Sequence, residues 1–242
     1  MISTSYCGSP PEPGGLWERF NLDPVLIIAL AGLVAVHLRH VRAEHSKWVL
    51  GGWAIAAFAF ISPLCALSVS LFSARVGQHM VLVLLAAPLI AFGLPRSNEA
   101  SGRDLLLSSL AFALPLWLWH MPTPYAATFR SDAIYWAMHV SLFGGAILLW
   151  RDLLHHRAEG GLAVLVAGLA ASVQMGLLGA ILTFVPTALF RVHYLTTSDW
   201  GMSPLADQQL GGLIMWVPGL LLFLVAAKRS LDILLGPAPA TR

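Results

Sequence analysis

Three short pieces of the sequence carry side chains able to bind a metal ion or a proton in otherwise apolar surroundings. They are Gln78-His79-Met80, Trp119-His120-Met121 and Met138-His139. An ionisable group at membrane depth is costly unless it has a partner, so each histidine is a functional candidate. Neutral imidazoles suit Cu(I), Cu(II) or Zn(II), and a thioether ligand favours the cuprous ion. Met80, Met121 and Met138 each adjoin one of the three histidines. Adjacent helical residues point about 100° apart, so such a pair is split between two faces. A fourth piece, Asp207-Gln208-Gln209, is followed by Gly211, Gly212 and Met215. Gln208 and Met215 share a helix face at i, i+7, and the glycines between them allow close approach of another helix. The candidate metal ligands are therefore His79, His120, His139, Asp207, Met80 and Met215, with Gln78 and Gln208 orienting the imidazoles.

These pieces belong to a chain of 242 residues that is 57% hydrophobic and only 11% charged, against roughly 25% charged in soluble domains. Its mean hydropathy is +0.75. Apolar runs at about 24–38, 48–67, 76–95, 105–120, 133–150, 161–186 and 208–227 predict an all-α polytopic membrane protein built as a seven-helix transmembrane bundle. The expected organisation is a short tail over 1–23, a single transmembrane domain over 24–228 and a C-terminal tail over 229–242. The tail holds Pro10, Pro11, Pro13, Gly14 and Gly15 and reads as a short polar segment without a cleavable signal. A turn is required between Ser68 and Arg75, and Pro63 fits a kink late in the second helix.

Ten of the 14 basic residues follow helices one, three, five and seven: Arg39, Arg42, Lys47, Arg96, Arg103, Arg151, Arg157, Lys228, Arg229 and Arg242. The other side has Arg19, Arg75, Arg130 and Arg191. The bias puts the N-terminus outside and the C-terminus in the cytoplasm. His79, His120, His139, Asp207 and Gln208 then all fall in the outer half of the membrane, on four helices. Gln174 lies near the middle of helix six. Trp119 and Trp136 are placed to wall such a site. His37, His40, His45, His155 and His156 read as solvated residues at the cytoplasmic boundary, and His193 as a loop residue with a surface role.

The plainest alternative is that each histidine is a packing residue hydrogen-bonded to a neighbouring helix. Three at one depth make that less economical. Histidines on facing helices also suit b-type haem. Cys7 and Cys65 form neither a disulfide framework nor a CxxC site, and soft-metal ligation is their residual role. No GxSxG, HExxH or P-loop is present, and no basic block points to nucleic acid.

Several stretches resemble CtaG-type cytochrome c oxidase assembly factors. They are Ser62-Pro63-Leu64, Leu71-Phe72-Ser73-Ala74, Gln78-His79-Met80, Ala87-Pro88-Leu89, Trp119-His120-Met121-Pro122 with Tyr125, His139, Trp150, and the run from Asp207 to Gly219. The resemblance spans about Trp17 to Val225. It implies a seven-helix, non-enzymatic protein of the bacterial plasma membrane that helps copper reach the oxidase, with oxidase subunits as partners. His79, His120, His139 and Asp207 carry over as its site. Where many members have a His-Met pair one turn before the QHM, this chain has Arg75-Val76. Where many have an acidic residue before the fifth-helix histidine, it has Met138. A metal-free membrane chaperone for oxidase subunits is the reading that needs no copper.

Overall fold

The computed structural model describes residues 5–94, 102–155 and 161–235. Among them the regular structure is helical: α1 Pro24–His40, α2 Ser46–Ile61, α3 Pro63–Ser70, α4 Phe72–Phe92, α5 Gly102–Trp119, α6 Pro122–Ala127, α7 Asp132–His155, α8 Gly161–Phe184 and α9 Pro204–Leu235. Four of these helices, α4, α7, α8 and α9, are long and apolar enough to cross a membrane. The bent pair made by α2 and α3 gives a fifth if it counts as one span. α1, with 17 residues, is a shorter apolar helix. The last helix continues past residue 228 to Leu235. Arg96, His156, Arg157 and Arg242 lie outside the described residues.

Local sequence explains the breaks. Pro63 cannot supply a helical N–H and disfavours the α region at Ser62. Ser62 is accordingly extended and its hydroxyl caps Leu64 N–H, and the chain bends by 50°. Leu71 is extended as well, which supplies the turn between α3 and α4.

α4 is the central rod. About 67% of its apolar window is buried, against 35–44% for the other three long helices. It packs on α2, α7 and α9, while α8 lies along α9 and α5 along α7. At the α8–α9 contact, Gly212 and Gly179 face each other's carbonyls, and Gly211 sits under the Phe72 ring. A side chain at any of the three would push the helices apart, so these glycines set the interhelical distance.

The middle of α4, Val81–Ala86, is wound as a π-helix. Pro88 accounts for it. Its nitrogen has no proton for the Leu84 carbonyl and its ring crowds that turn, and a widened turn just before it relieves both. The Val83 carbonyl in this turn accepts a hydrogen bond from Trp150 Nε1 at 2.7 Å.

The N-terminal segment is not a loose polar tail. Cys7 is buried and disulfide-bonded to Cys65, and Ser70 Oγ donates to Pro11 O. The pairing replaces the soft-metal role expected for these cysteines. It straps residues 5–18 across the end of α3, and this end of the bundle is called the disulfide end below. At the opposite end, His37 Nδ1 accepts from Trp53 Nε1, and His155 Nε2 lies 3.2 Å from Ala91 O. These two histidines are therefore bound into the bundle and not simply solvated.

Candidate metal centre

His79 is presented by the first half of α4, and the start of that helix is held from outside. Leu71 offers no side-chain cap. The carboxylate of Asp207, from α9, takes the place of one: it accepts from Phe72 N–H at 2.7 Å, from Ser73 N–H at 3.0 Å and from the Ser73 hydroxyl. A negative group at a helix N-terminus also complements the macrodipole. Gln78 donates to Ala59 O at 2.7 Å and ties α4 to α2. Gln208 accepts from Leu189 N–H and donates to Leu182 O, fixing the chain where it leaves α8. Asp207, Gln78 and Gln208 thus position helices through hydrogen bonds to backbone groups and to Ser73, and Gln78 also lies against the Tyr135 hydroxyl.

His79 stands against each of the other two expected histidines. The His79 ring lies 5.2 Å from that of His139 and 5.9 Å from that of His120, in each case nearly edge-on. Two imidazoles sharing one ion at roughly 2.0–2.1 Å would have ring centres roughly 5–6 Å apart, so the spacing suits a shared ion. His120 Nδ1 lies 2.7 Å from Leu116 O and His139 Nδ1 lies 3.0 Å from Tyr135 O. A carbonyl partner makes Nδ1 the protonated nitrogen and leaves Nε2 its lone pair, the arrangement found behind metal-bound imidazoles. The second partner expected from Asp207 or a glutamine is here a helix carbonyl four residues back.

Both nitrogens of His79 and Nε2 of His139 are buried without a hydrogen-bond partner. Buried polar atoms are usually satisfied, and these three orphans fall in one cluster. Among the described residues no group of three or more His, Cys, Asp or Glu side chains is arranged to hold a metal ion. Seating an ion therefore requires the rings to turn about their side-chain bonds. Met80 and Met215 are both buried in the main apolar core. The gap lined by His79, His139, Leu82, Val83, Leu142 and Phe143 is too narrow to admit a water molecule, and it offers no slot for a macrocycle.

The surroundings toward the disulfide end are aromatic. The Tyr135 ring lies 4.3 Å from His139, Phe60 lies 5.1 Å from it, and Tyr6 stacks on Tyr135 at 4.9 Å. Trp136 joins this wall, whereas Trp119 donates to Ser141. Tyr135 Oη is 3.3 Å from Cys7 Sγ, so the strap reaches the residue one turn above His139. Gln174 Oε1 accepts from Trp117 Nε1, away from the three histidines.

Two residues differ from their sequence reading. His193 is buried, and its Nε2 is 2.7 Å from Tyr125 Oη. Burial, with the charge of Arg75 adding to it, pushes this histidine down to about 3. Arg75, counted above among basic residues at a membrane surface, is fully buried. Its Nε donates to Ser68 O and its Nη1 to Thr128 Oγ1. The guanidinium lies 4.2 Å from the Phe129 ring centre and 5.7 Å from that of Tyr135. Sequence did carry a signal for this, because Arg75 is four residues before His79 and shares its helix face.

No curated protein and no solved structure matches the chain. Residues 30–104 and 103–229 match the model of the cytochrome c oxidase caa3 assembly factors (Caa3_CtaG). The chain therefore belongs to the cytochrome c oxidase caa3 assembly factor family.

Proposed function

We propose that this protein is a non-catalytic assembly factor that takes up copper as cargo at His79, His120 and His139 and passes it to an oxidase subunit. The observation that carries the reading is His79, whose two buried ring nitrogens have no partner while two further imidazoles stand against it. The carbonyl-locked Nδ1 atoms of His120 and His139 support it, since they leave Nε2 as the donor to a metal. A cargo site must release its ion, and a set of neutral imidazoles without thiolate or carboxylate suits a labile one.

In this reading the chain crosses a bacterial plasma membrane seven times, with the N-terminus outside. The basic-residue bias supports that orientation. So does the disulfide, because such bonds persist on the oxidising side of a membrane. The site then lies in the outer half, within reach of an oxidase copper centre filled from that side.

The test is elemental analysis of the full chain purified in detergent after loading with Cu(I). Wild type should retain copper, and His79→Ala should lower the stoichiometry at unchanged melting temperature. Equal copper in both removes His79 from the site. Copper near zero in wild type, with oxidase subunits still co-purifying, favours a metal-free chaperone instead.

A further inference from the structure

The ligand set contains no anion. The candidate ligands that meet are three neutral imidazoles, and the nearest fixed charge beside them is a cation. Arg75 and His79 stand at i and i+4 on α4, and Tyr135 and His139 at i and i+4 on α7. The pairs face each other rung by rung. The guanidinium lies over Tyr135 at 5.7 Å, and the His79 ring meets that of His139 edge-on at 5.2 Å. A guanidinium is not deprotonated in proteins. The partners of Arg75 are a carbonyl, a hydroxyl and aromatic rings; Nη2 has none, and no ion pair found among the described residues includes it. Asp207 is the buried carboxylate at this end among the described residues. It is bound to Phe72 and Ser73, farther along α4 from His79 than Arg75 is.

We propose that Arg75 makes the histidine site selective for a soft, singly charged cation over a divalent one. The proposal rests on the metal-binding reading given above. An ion held by these imidazoles sits one helical turn from the guanidinium, about 7 Å away. Coulomb's law at an effective dielectric constant of about 20 then weakens binding roughly 10- to 100-fold for each unit of charge on the ion. A singly charged ion meets this factor once and a divalent ion twice. Cu(I) is the biological ion of that class. Zn(II) and Cu(II), which imidazoles alone would also accept, are disfavoured by the second factor.

The experiment measures affinities of the full chain in detergent for Ag(I), a redox-inert monovalent probe, and for Zn(II), by competition with chelators of known strength. Arg75→Gln should raise Zn(II) affinity 10- to 100-fold more than Ag(I) affinity, and Arg75→Lys should leave the ratio where it is. Thr128→Asp reaches the same charge state without removing the arginine, since it puts a carboxylate where the Thr128 hydroxyl now accepts from Nη1 at 2.9 Å. It should shift the ratio in the same direction. The ratio is the readout because a general loosening of the site would move both affinities together. An unchanged ratio in Arg75→Gln and Thr128→Asp, with both ions still bound and both still dependent on His79, overturns the selectivity role alone. Binding of neither ion by wild type overturns the metal site and the selectivity with it.

Discussion

Replacing Asp207 by alanine removes the one side chain seen to cap the helix that carries His79. Its carboxylate accepts from Phe72 N–H, Ser73 N–H and the Ser73 hydroxyl, all buried. Loss of a capping side chain costs about 1–2 kcal/mol. The second backbone N–H left unpaired adds about 1–3 kcal/mol, while the Ser73 hydroxyl is free to turn to another acceptor. The expected destabilisation is therefore about 2–5 kcal/mol, or a fall in melting temperature of roughly 4–20 °C for a chain of this size. Asp207→Asn keeps one acceptor oxygen and should lose about half as much. Intrinsic fluorescence from the nine tryptophans gives the melting curve in detergent, and copper content is measured on the same samples. If Asp207 works by holding α4, copper uptake in the two variants should fall in step with stability. Asp207→Asn that melts with wild type yet binds no copper would refute the capping argument and make Asp207 a ligand.

Three other outcomes follow from the same contacts. The Cys7–Cys65 bond joins residues separated by 58 positions. Unfolding under non-reducing conditions should expose no alkylatable thiol, and the Cys7→Ser, Cys65→Ser double variant should lose about 4 kcal/mol by the loop-closure relation. His193 has a folded-state value near 3 against an ordinary 6.5. The unfolded chain therefore binds this proton first, so stability from neutral His193 is full above about 6.5 and falls as pH drops toward 3. His193→Gln should make the melting temperature less steep over that window. Trp150→Phe leaves Val83 O without its donor and should cost about 1–2 kcal/mol, seen as a lower melting temperature.

Much of the helical framework was legible in the apolar runs and proline breaks, but equal expected depth left helix rotation and neighbour order open, so the sequence did not say whether His79, His120 and His139 meet. Depth was not enough for Asp207 and Gln208. Rotation about α9 turns both to the start of α4 and the exit of α8. The disulfide was within reach, since the predicted topology put Cys7 and the end of the second helix on one side. It was missed because two cysteines 58 positions apart make no local pattern. Arg75 was read as an interfacial charge, and its burial depends on Phe129, Tyr125 and Tyr135, which come from other segments. The π-helix has a cause visible in Pro88, but its site is set by Trp150 reaching Val83 O.

That wide turn works as an offset joint. One extra residue in a helix turns everything after it by about 100°. The rotation brings Ile90 and the Ala86 carbonyl onto Gly52, where no side chain stands in the way. Before the joint, α4 packs on α9 and reaches α2 through Gln78; after it, the same rod packs on α7 and α2. The two halves can therefore be fitted to different neighbours at once, with Pro88 keeping the joint open and Gly52 receiving what it swings round. Deleting a residue within Val81–Ala86 would leave each half intact and put both out of phase. The rotational setting of His79 is thus anchored at the far end of its own helix.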